Sequence, residues 1–436
     1  MAVVTRAAAP AHLAAWRIIV LGVIILLAVA VNLWLRPGRG TTGSLSLLAL
    51  AGIAYLASLS ELQRARTGSR VALAVCIALG LGWRVLLIRE PSGLHDDVHR
   101  YLWDARLQRA GINPYVAIPA DPALAALHTP DTRQINHPDL SSPYPPAAQF
   151  FFRAATVWGE SARAIKIALL AADLLLMGVL ARWLIVEGLS VWWVLAYAWN
   201  PVVALEAIGS GHIDVVGALL VTTTALALTT GHRAIAATSL SLAIGFKFLP
   251  IVLLPLLWGR VRWRDALVAV GVFGALYVPF LHDGQLALGS LGAFIDRFRF
   301  NGPIFPLLES FGPPRWMAAI SVLAGLSVAT WMRWRLSAAS PAAWAWPMAA
   351  ALLFGPVIYP WYLIWITPFL TTAGTWPLAV WSVTVISTYV VWHRSAFGAI
   401  WAVPAGYLVF EYGTVLLAAA LVVWMRWRRA LADSSR

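Results

Sequence analysis

A chain of 436 residues that is 60% hydrophobic, only 12% charged and has a mean hydropathy of +0.75 is too apolar for a soluble domain of its size. Its apolar residues come in blocks of about 17 to 25, enough for a helix to cross a bilayer, and lack the short alternating segments of a β-barrel. The net charge of +13 sits in short basic clusters between those blocks and the 24 Trp suit interfacial belts, which excludes a nucleic-acid surface in favour of membrane orientation.

The pattern predicts an all-α polytopic membrane protein of about 12–14 transmembrane helices. The single Cys76 lies inside an apolar block, so no internal disulfide can form. Residues 16–35 are too long for a signal-peptide core and lack a small-residue cleavage pattern, so they predict an uncleaved first helix rising from the cytoplasm. Residues 44–60 return to Arg64, Arg66 and Arg70, and residues 71–88 lead out again. Arg36 and Arg39 then fall on the side the positive-inside pattern disfavours.

A long outer loop follows over residues 89–153, the longest polar interval in the chain; its stretch 90–146 holds seven of the 19 acidic residues, which makes it the place to look for chemistry. Within it, residues 97–109 predict an amphipathic helix along the bilayer surface. Val98, Tyr101, Leu102 and Ala105 recur at helical spacing, Arg100, Asp104 and Arg106 fall elsewhere, and Gly111 and Pro114 end it. Helices over 162–186, 191–208 and 215–230 come next. The stretch 234–258 is flanked by Arg233 on one side and Arg260, Arg262 and Arg264 on the other, which predicts a hairpin broken near Gly245 and Pro250 with Lys247 at its tip. A helix over 266–281 leads to a second outer loop, 282–314, and a further helix over 315–331 returns to Arg333 and Arg335. The last helices turn at Tyr359-Pro360-Trp361-Tyr362 and end inside at Arg426, Arg428 and Arg429. The whole chain, 1–436, is expected to form a single membrane domain.

This topology gathers polar groups on one outer face: His95, Asp96, Asp97, His99 and Arg100; His137 and Tyr144; His212 and Asp214; and Arg297 and Arg299, with Lys247 reaching from the hairpin tip. Adjacent carboxylates repel unless a cation, a proton or a substrate offsets them, which marks Asp96 and Asp97 as catalytic candidates. Ionisable groups at membrane depth are costly, so Lys247, Arg297, Arg299 and His212 are expected at a donor phosphate. Arg100, Tyr101, His137, Tyr144, Asp214, Tyr359 and Trp361 are the expected substrate-binding residues. His95 and His99 stand four apart beside Asp96, but no Glu lies between them as a metalloprotease pair needs; no metal is assigned, and a divalent cation is the one cofactor left open. Gly209-Ser210-Gly211 lacks a following Gly-Lys-Ser/Thr, which argues against a nucleotide as immediate substrate. A carboxylate base, nearby cations and a lipid-facing groove suit attack of an acceptor hydroxyl on a sugar whose leaving group is a lipid phosphate.

The run Asp97-Val98-His99-Arg100-Tyr101-Leu102-Trp103-Asp104, then Gly111-Ile112-Asn113-Pro114-Tyr115 and Tyr144-Pro145-Pro146, resembles the first outer loop of polyprenyl-phosphate-mannose-dependent mannosyltransferases of the type C glycosyltransferase superfamily. Asn200-Pro201 with Glu206, Gly211-His212-Ile213-Asp214, Lys247 with Pro250, and Pro360-Trp361-Tyr362 continue the likeness. The resemblance implies a multi-pass enzyme of the plasma (inner) membrane, acting on its outer face. It would move a sugar, expected to be mannose, from a polyprenyl phosphate to a lipid or glycan acceptor, with Asp97 as base and Asp96 as alternate. In that superfamily the catalytic loop usually follows the first helix, whereas here it follows the third, so the resemblance implies that residues 1–70 are an added N-terminal helix hairpin. The competing expectation is a transporter or flippase of lipid-linked sugars, whose mark would be paired inverted repeats with broken helices in both halves. Only one broken region is visible in the sequence.

Overall fold

In hydrocarbon every backbone amide must find its partner within the chain, and these apolar blocks do so as helices. The computed structural model describes residues 11–64, 69–90, 97–284 and 286–434. Helices α1 (Ala11–Leu35) and α2 (Thr42–Arg64) form a hairpin, and α1 also packs on α3 (Arg70–Ile88). The Ser69 hydroxyl caps α3 by accepting from the Ala72 amide. The first loop carries α4 (Asp97–Arg109) and α5 (Pro146–Ala155), and α6 (Ala162–Val186) re-enters the bundle, capped by Ser161.

The next apolar block is bent. Helix α7 (Val194–Ala198) and the π-helical segment Val203–Ser210 meet at 58° around Asn200 and Pro201. Asn200 clamps the bend by donating to Ser382 Oγ at 2.8 Å and Tyr55 Oη at 3.2 Å, while its side-chain oxygen accepts from the Val202 amide. Helices α8 (Asp214–Thr229) and α9 (Arg233–Phe246) follow; the chain breaks at Lys247, where an extended backbone separates α9 from a 3-10 segment, Leu249–Leu257. After α10 (Trp263–Tyr277), the second loop carries α11 (Leu291–Arg297) and α12 (Phe305–Leu308). Then come α13 (Pro314–Arg335), α14 (Pro341–Leu353), a 3-10 segment Pro360–Phe369, α15 (Trp376–Thr384), α16 (Val390–Ala396) and α17 (Ala405–Ser434).

Among the described residues eight helices are long and apolar enough to cross a membrane, or nine if the bent pair counts as one span. The expected number was higher because 3-10 stretches around Pro255, Pro360 and Pro368 cut apolar runs that sequence hydropathy reads as continuous, and α8 and α9 are apolar but shorter than a full span. The bundle also holds a buried ion pair. Arg84 on α3 donates to Asp173 on α6 at 2.6 and 3.1 Å and to the carbonyl of Ala198 at 2.7 Å, while Tyr197 Oη donates to Asp173. With the desolvated charges hydrogen-bonded on several sides, the pair locks three elements into one register.

Candidate active site

Asp97 opens α4, where a carboxylate answers the positive helix end, and its side chain is 24% exposed. The helix is where the sequence placed it, but its polar side, with His99, Arg100 and Asp104, is buried rather than wet. Tyr101 and Trp103 are fully buried, because the rest of the loop folds over the helix. Arg100 draws that cover in by donating to the carbonyls of Leu140 at 2.8 Å, His137 at 3.0 Å and Asn136 at 3.3 Å. Trp103 stacks on His128, and Tyr101 stacks on Phe152 and meets Tyr144 edge-on at 5.2 Å. Asp104 accepts from Ser142 Oγ at 2.5 Å and Gln149 Nε2 at 2.8 Å. Burial pushes its carboxyl up to about 6, against the opposing pull of Arg100 and of those two donors. Burial likewise raises the Tyr144 phenol, with the charge of Asp97 adding to it, so Tyr144 faces the carboxylate as a neutral hydroxyl.

The π-helical segment ends at Gly211, whose φ of +90° suits glycine and turns the chain so that the His212 amide returns to the Glu206 carbonyl at 2.9 Å. The turn sets the His212 ring between two carboxylates. Nδ1 is 3.0 Å from Glu206 Oε2, and Nε2 is 3.7 Å from Asp97 Oδ2. The ring lies flat on Trp361 at 3.8 Å, and Trp361 lies flat on Tyr359 at 4.4 Å. Glu206, fully buried, accepts from Arg39 Nη2 at 2.7 Å and from the Tyr389 hydroxyl. Arg39 in turn sits over the rings of Tyr389 and Trp392 at 3.9 and 4.7 Å. Its departure from the positive-inside pattern therefore has a cause: this arginine serves Glu206 at the Asp97 end of the bundle. A cavity of about 230 Å³ borders the pair, lined in part by Asn32, Arg36, Arg39, Glu90, Ser210 and Tyr389.

Two residues beyond His212, Asp214 opens α8 and takes Lys247 Nζ at 2.8 and 2.7 Å on its two oxygens; Trp365 Nε1 also donates to it at 2.7 Å. Lys247 rests over the Tyr362 ring at 4.8 Å, and that ring stands edge-on to Trp361. The Trp365 indole fits because residue 217 is glycine: a Cβ there would lie 1.8 Å from the ring.

The two loop arginines are placed differently. Arg299 spends its donors on Glu309 and on the carbonyls of Ile295, Asp296 and Phe298. Arg297 is largely exposed, 3.9 Å from an exposed Asp139. His137, with φ of +47°, meets Phe298 edge-on at 4.7 Å. The second loop supports the ring stack from behind, through a short parallel bridge of Phe300 to Val357 and the tilted contact of Phe300 with Tyr359 at 4.5 Å.

Of the expected site residues, the structure thus brings together Asp97, His212, Tyr359 and Trp361 in one cluster, Tyr101 with Tyr144, and Lys247 with Asp214. Arg100 holds the loop together. Asp96 and His95 lie outside the described residues, and among the described residues no three His, Cys, Asp or Glu side chains gather as a metal site. Sequence reasoning did not assign Arg39, Tyr362, Trp365 or Tyr389 to the site. Glu206 had entered only as part of a motif, although a lone glutamate in an apolar block was a signal.

An all-helical, multi-pass bundle with a covered loop helix and a carboxylate at its head is an architecture of the type C glycosyltransferase kind. The chain belongs to the mannosyltransferase family described as "alpha-(1->6)-mannopyranosyltransferase, N-terminal domain", whose model matches residues 7–261, more than half of the chain. It is a membrane mannosyltransferase. No curated protein and no solved structure matches it. The matched region includes Arg39, Asp97, Glu206, His212, Asp214 and Lys247, and stops short of the stacked rings at Tyr359 and Trp361.

Proposed function

We propose that this chain transfers mannose from a polyprenyl phosphate to a hydroxyl of a glycan or lipid acceptor at the outer face of the plasma membrane, with Asp97 as general base and inversion at the anomeric carbon. The observation that carries this reading is the position of Asp97. Its partly exposed carboxylate heads a buried helix, within the aromatic and histidine cluster, in a chain of the mannopyranosyltransferase family. In one displacement the acceptor oxygen bonds to the anomeric carbon, its proton goes to Asp97, and the bond to the phosphate oxygen breaks with its electron pair. The family description points to an α-(1→6) product, and inversion to such a product requires a β-linked donor.

The departing phosphate needs charge-assisted donors. An ammonium has three hydrogens, and the pairing of Lys247 with Asp214 still leaves one to offer. Lys247 is therefore assigned to the phosphate, and the exposed Arg297 to its approach, while His212 faces Asp97 and Glu206. The reading takes residues 1–436 as one membrane domain, with the loop at 89–153 as catalytic and that at 282–314 as its support.

The test is turnover of a polyprenyl-phosphate mannose by purified protein in detergent, with the product linkage read by mass spectrometry and NMR. Asp97→Asn should cut turnover by roughly 10² to 10⁴ with little change in donor binding. Lipid translocation in vesicles without a glycosidic bond would favour the flippase reading; full transfer by Asp97→Asn would end the assignment of Asp97 as base and pass it to Asp96, and full transfer by Asp96→Asn as well would end the base hypothesis.

A further inference from the structure

A base that accepts one proton per turnover must pass it on. His212 Nδ1 hydrogen-bonds to the Glu206 carbonyl at 3.2 Å and lies 3.0 Å from the Glu206 carboxylate at Oε2, so that nitrogen carries a hydrogen. In the neutral ring with its hydrogen on Nδ1, Nε2 presents its lone pair to Asp97 Oδ2 at 3.7 Å, a separation of the kind that tightens when substrate closes a site. The face of Trp361, 3.8 Å away, stabilises an imidazolium by its ring quadrupole. Glu206 cannot swing away, because Arg39 and Tyr389 hold its other oxygen.

We propose that His212 and Glu206 form a proton-holding dyad behind Asp97, with Arg39 of the N-terminal hairpin as the residue that positions Glu206. The proposal rests on the reading of Asp97 as base. As the acceptor oxygen bonds to the anomeric carbon, its proton moves to Asp97 Oδ2 and then to His212 Nε2, and the phosphate leaves with the electron pair of the broken bond. Passing the proton on frees the Asp97 carboxylate while the acceptor covers its exposed side. Once product leaves, the proton returns through Asp97 to water. Among the described residues, the charged groups facing His212 are Asp97 from α4 and Glu206 from the π-helical segment, with Arg39 from the α1–α2 connection behind Glu206; Lys247 is held by Asp214, two residues on.

The experiment is steady-state transfer by the full chain, with kcat, donor KM and the solvent deuterium isotope effect measured for each variant. Glu206→Gln keeps the residue-206 carbonyl for Nδ1–H but removes the side-chain charge. It should lower kcat about 10–100-fold, the usual effect of a supporting residue, leave donor KM unchanged and enlarge the isotope effect. A purely structural role would not move the isotope effect. Arg39→Lys should retain most turnover and Arg39→Gln should not. Because Glu206→Gln leaves a buried arginine unpaired, Arg39→Gln with Glu206→Gln is the control that keeps the site neutral if the single variant fails to fold. Wild-type kcat and isotope effect in either folded variant would overturn the dyad. If Asp97→Asn abolishes transfer while Glu206→Gln does not, only the dyad falls; if Asp97→Asn transfers normally, the base reading falls first.

Discussion

Lys247 Nζ lies 2.8 and 2.7 Å from the two carboxylate oxygens of Asp214, a contact that crosses from the break after α9 to the start of α8. Lys247→Gln should weaken use of a polyprenyl-phosphate donor by about 2–5 kcal/mol in kcat/KM, the cost of leaving a desolvated phosphate short of a charged donor. Part of any loss could come from a stranded Asp214. Lys247→Gln with Asp214→Asn removes that part and should recover the thermal midpoint in detergent but not donor use. Recovery of both would take the phosphate away from Lys247.

The fit of Trp365 against Gly217 predicts a sensitive position one turn along α8 from Asp214. In Gly217→Ala the new methyl would overlap the indole ring, and Trp365 would have to give up its hydrogen bond to Asp214. Overpacking of this sort costs about 1–3 kcal/mol, read as a lower melting temperature. Trp365→Phe in the same background should return some stability by making room. An unshifted melting curve for Gly217→Ala would show that the ring moves without penalty.

Asp104 predicts a pH dependence of the covered loop. Its carboxyl rises from 3.8 to about 6 on folding, so the folded state binds the proton more tightly. The stabilisation is complete below the unfolded value and is lost as pH rises through the folded one. Two pKa units amount to about 3 kcal/mol at most. Hydrogen exchange of α4 should accordingly show protection decreasing from about pH 4 to pH 6, relative to Asp104→Asn measured at the same pH values. Identical pH profiles for the two proteins would exclude Asp104 as the titrating group.

Topology can be read with cysteines, since the single native Cys76 is buried. Arg36→Cys and Asp121→Cys should be labelled by an impermeant maleimide from outside the cell, and Arg262→Cys only after permeabilisation. Labelling of Arg262→Cys from outside would break the reading of residues 234–258 as a hairpin.

Apolar block lengths were enough to reveal a helical membrane protein, and α4 ends at Arg109 as the pattern chose, because local spacing and end signals act over a few residues. What spacing could not show was how the loop closes over that helix. The Arg100 contacts join α4 to carbonyls 36 to 40 residues away, and such pairings follow from the packed fold. Arg39 shows the opposite difficulty. Its charge was visible and was read as a topological misfit, because positive-inside counting treats every arginine alike, while this one has a buried glutamate 167 residues away. Arg84 and Asp173 passed unremarked inside apolar blocks for the same reason.

The π-helical segment Val203–Ser210 has one last implication, for insertions and deletions. A π-turn carries an extra residue per turn, and each residue advances an α-helix by about 100°. Deleting a single residue between positions 203 and 205 would let the ladder relax to α-helical and rotate Glu206 by about that angle, away from Arg39 and Tyr389. The phase of this one turn, more than the identity of most of its side chains, keeps Glu206 aligned with His212, and a frame-preserving loss of one residue here should be less tolerated than most substitutions.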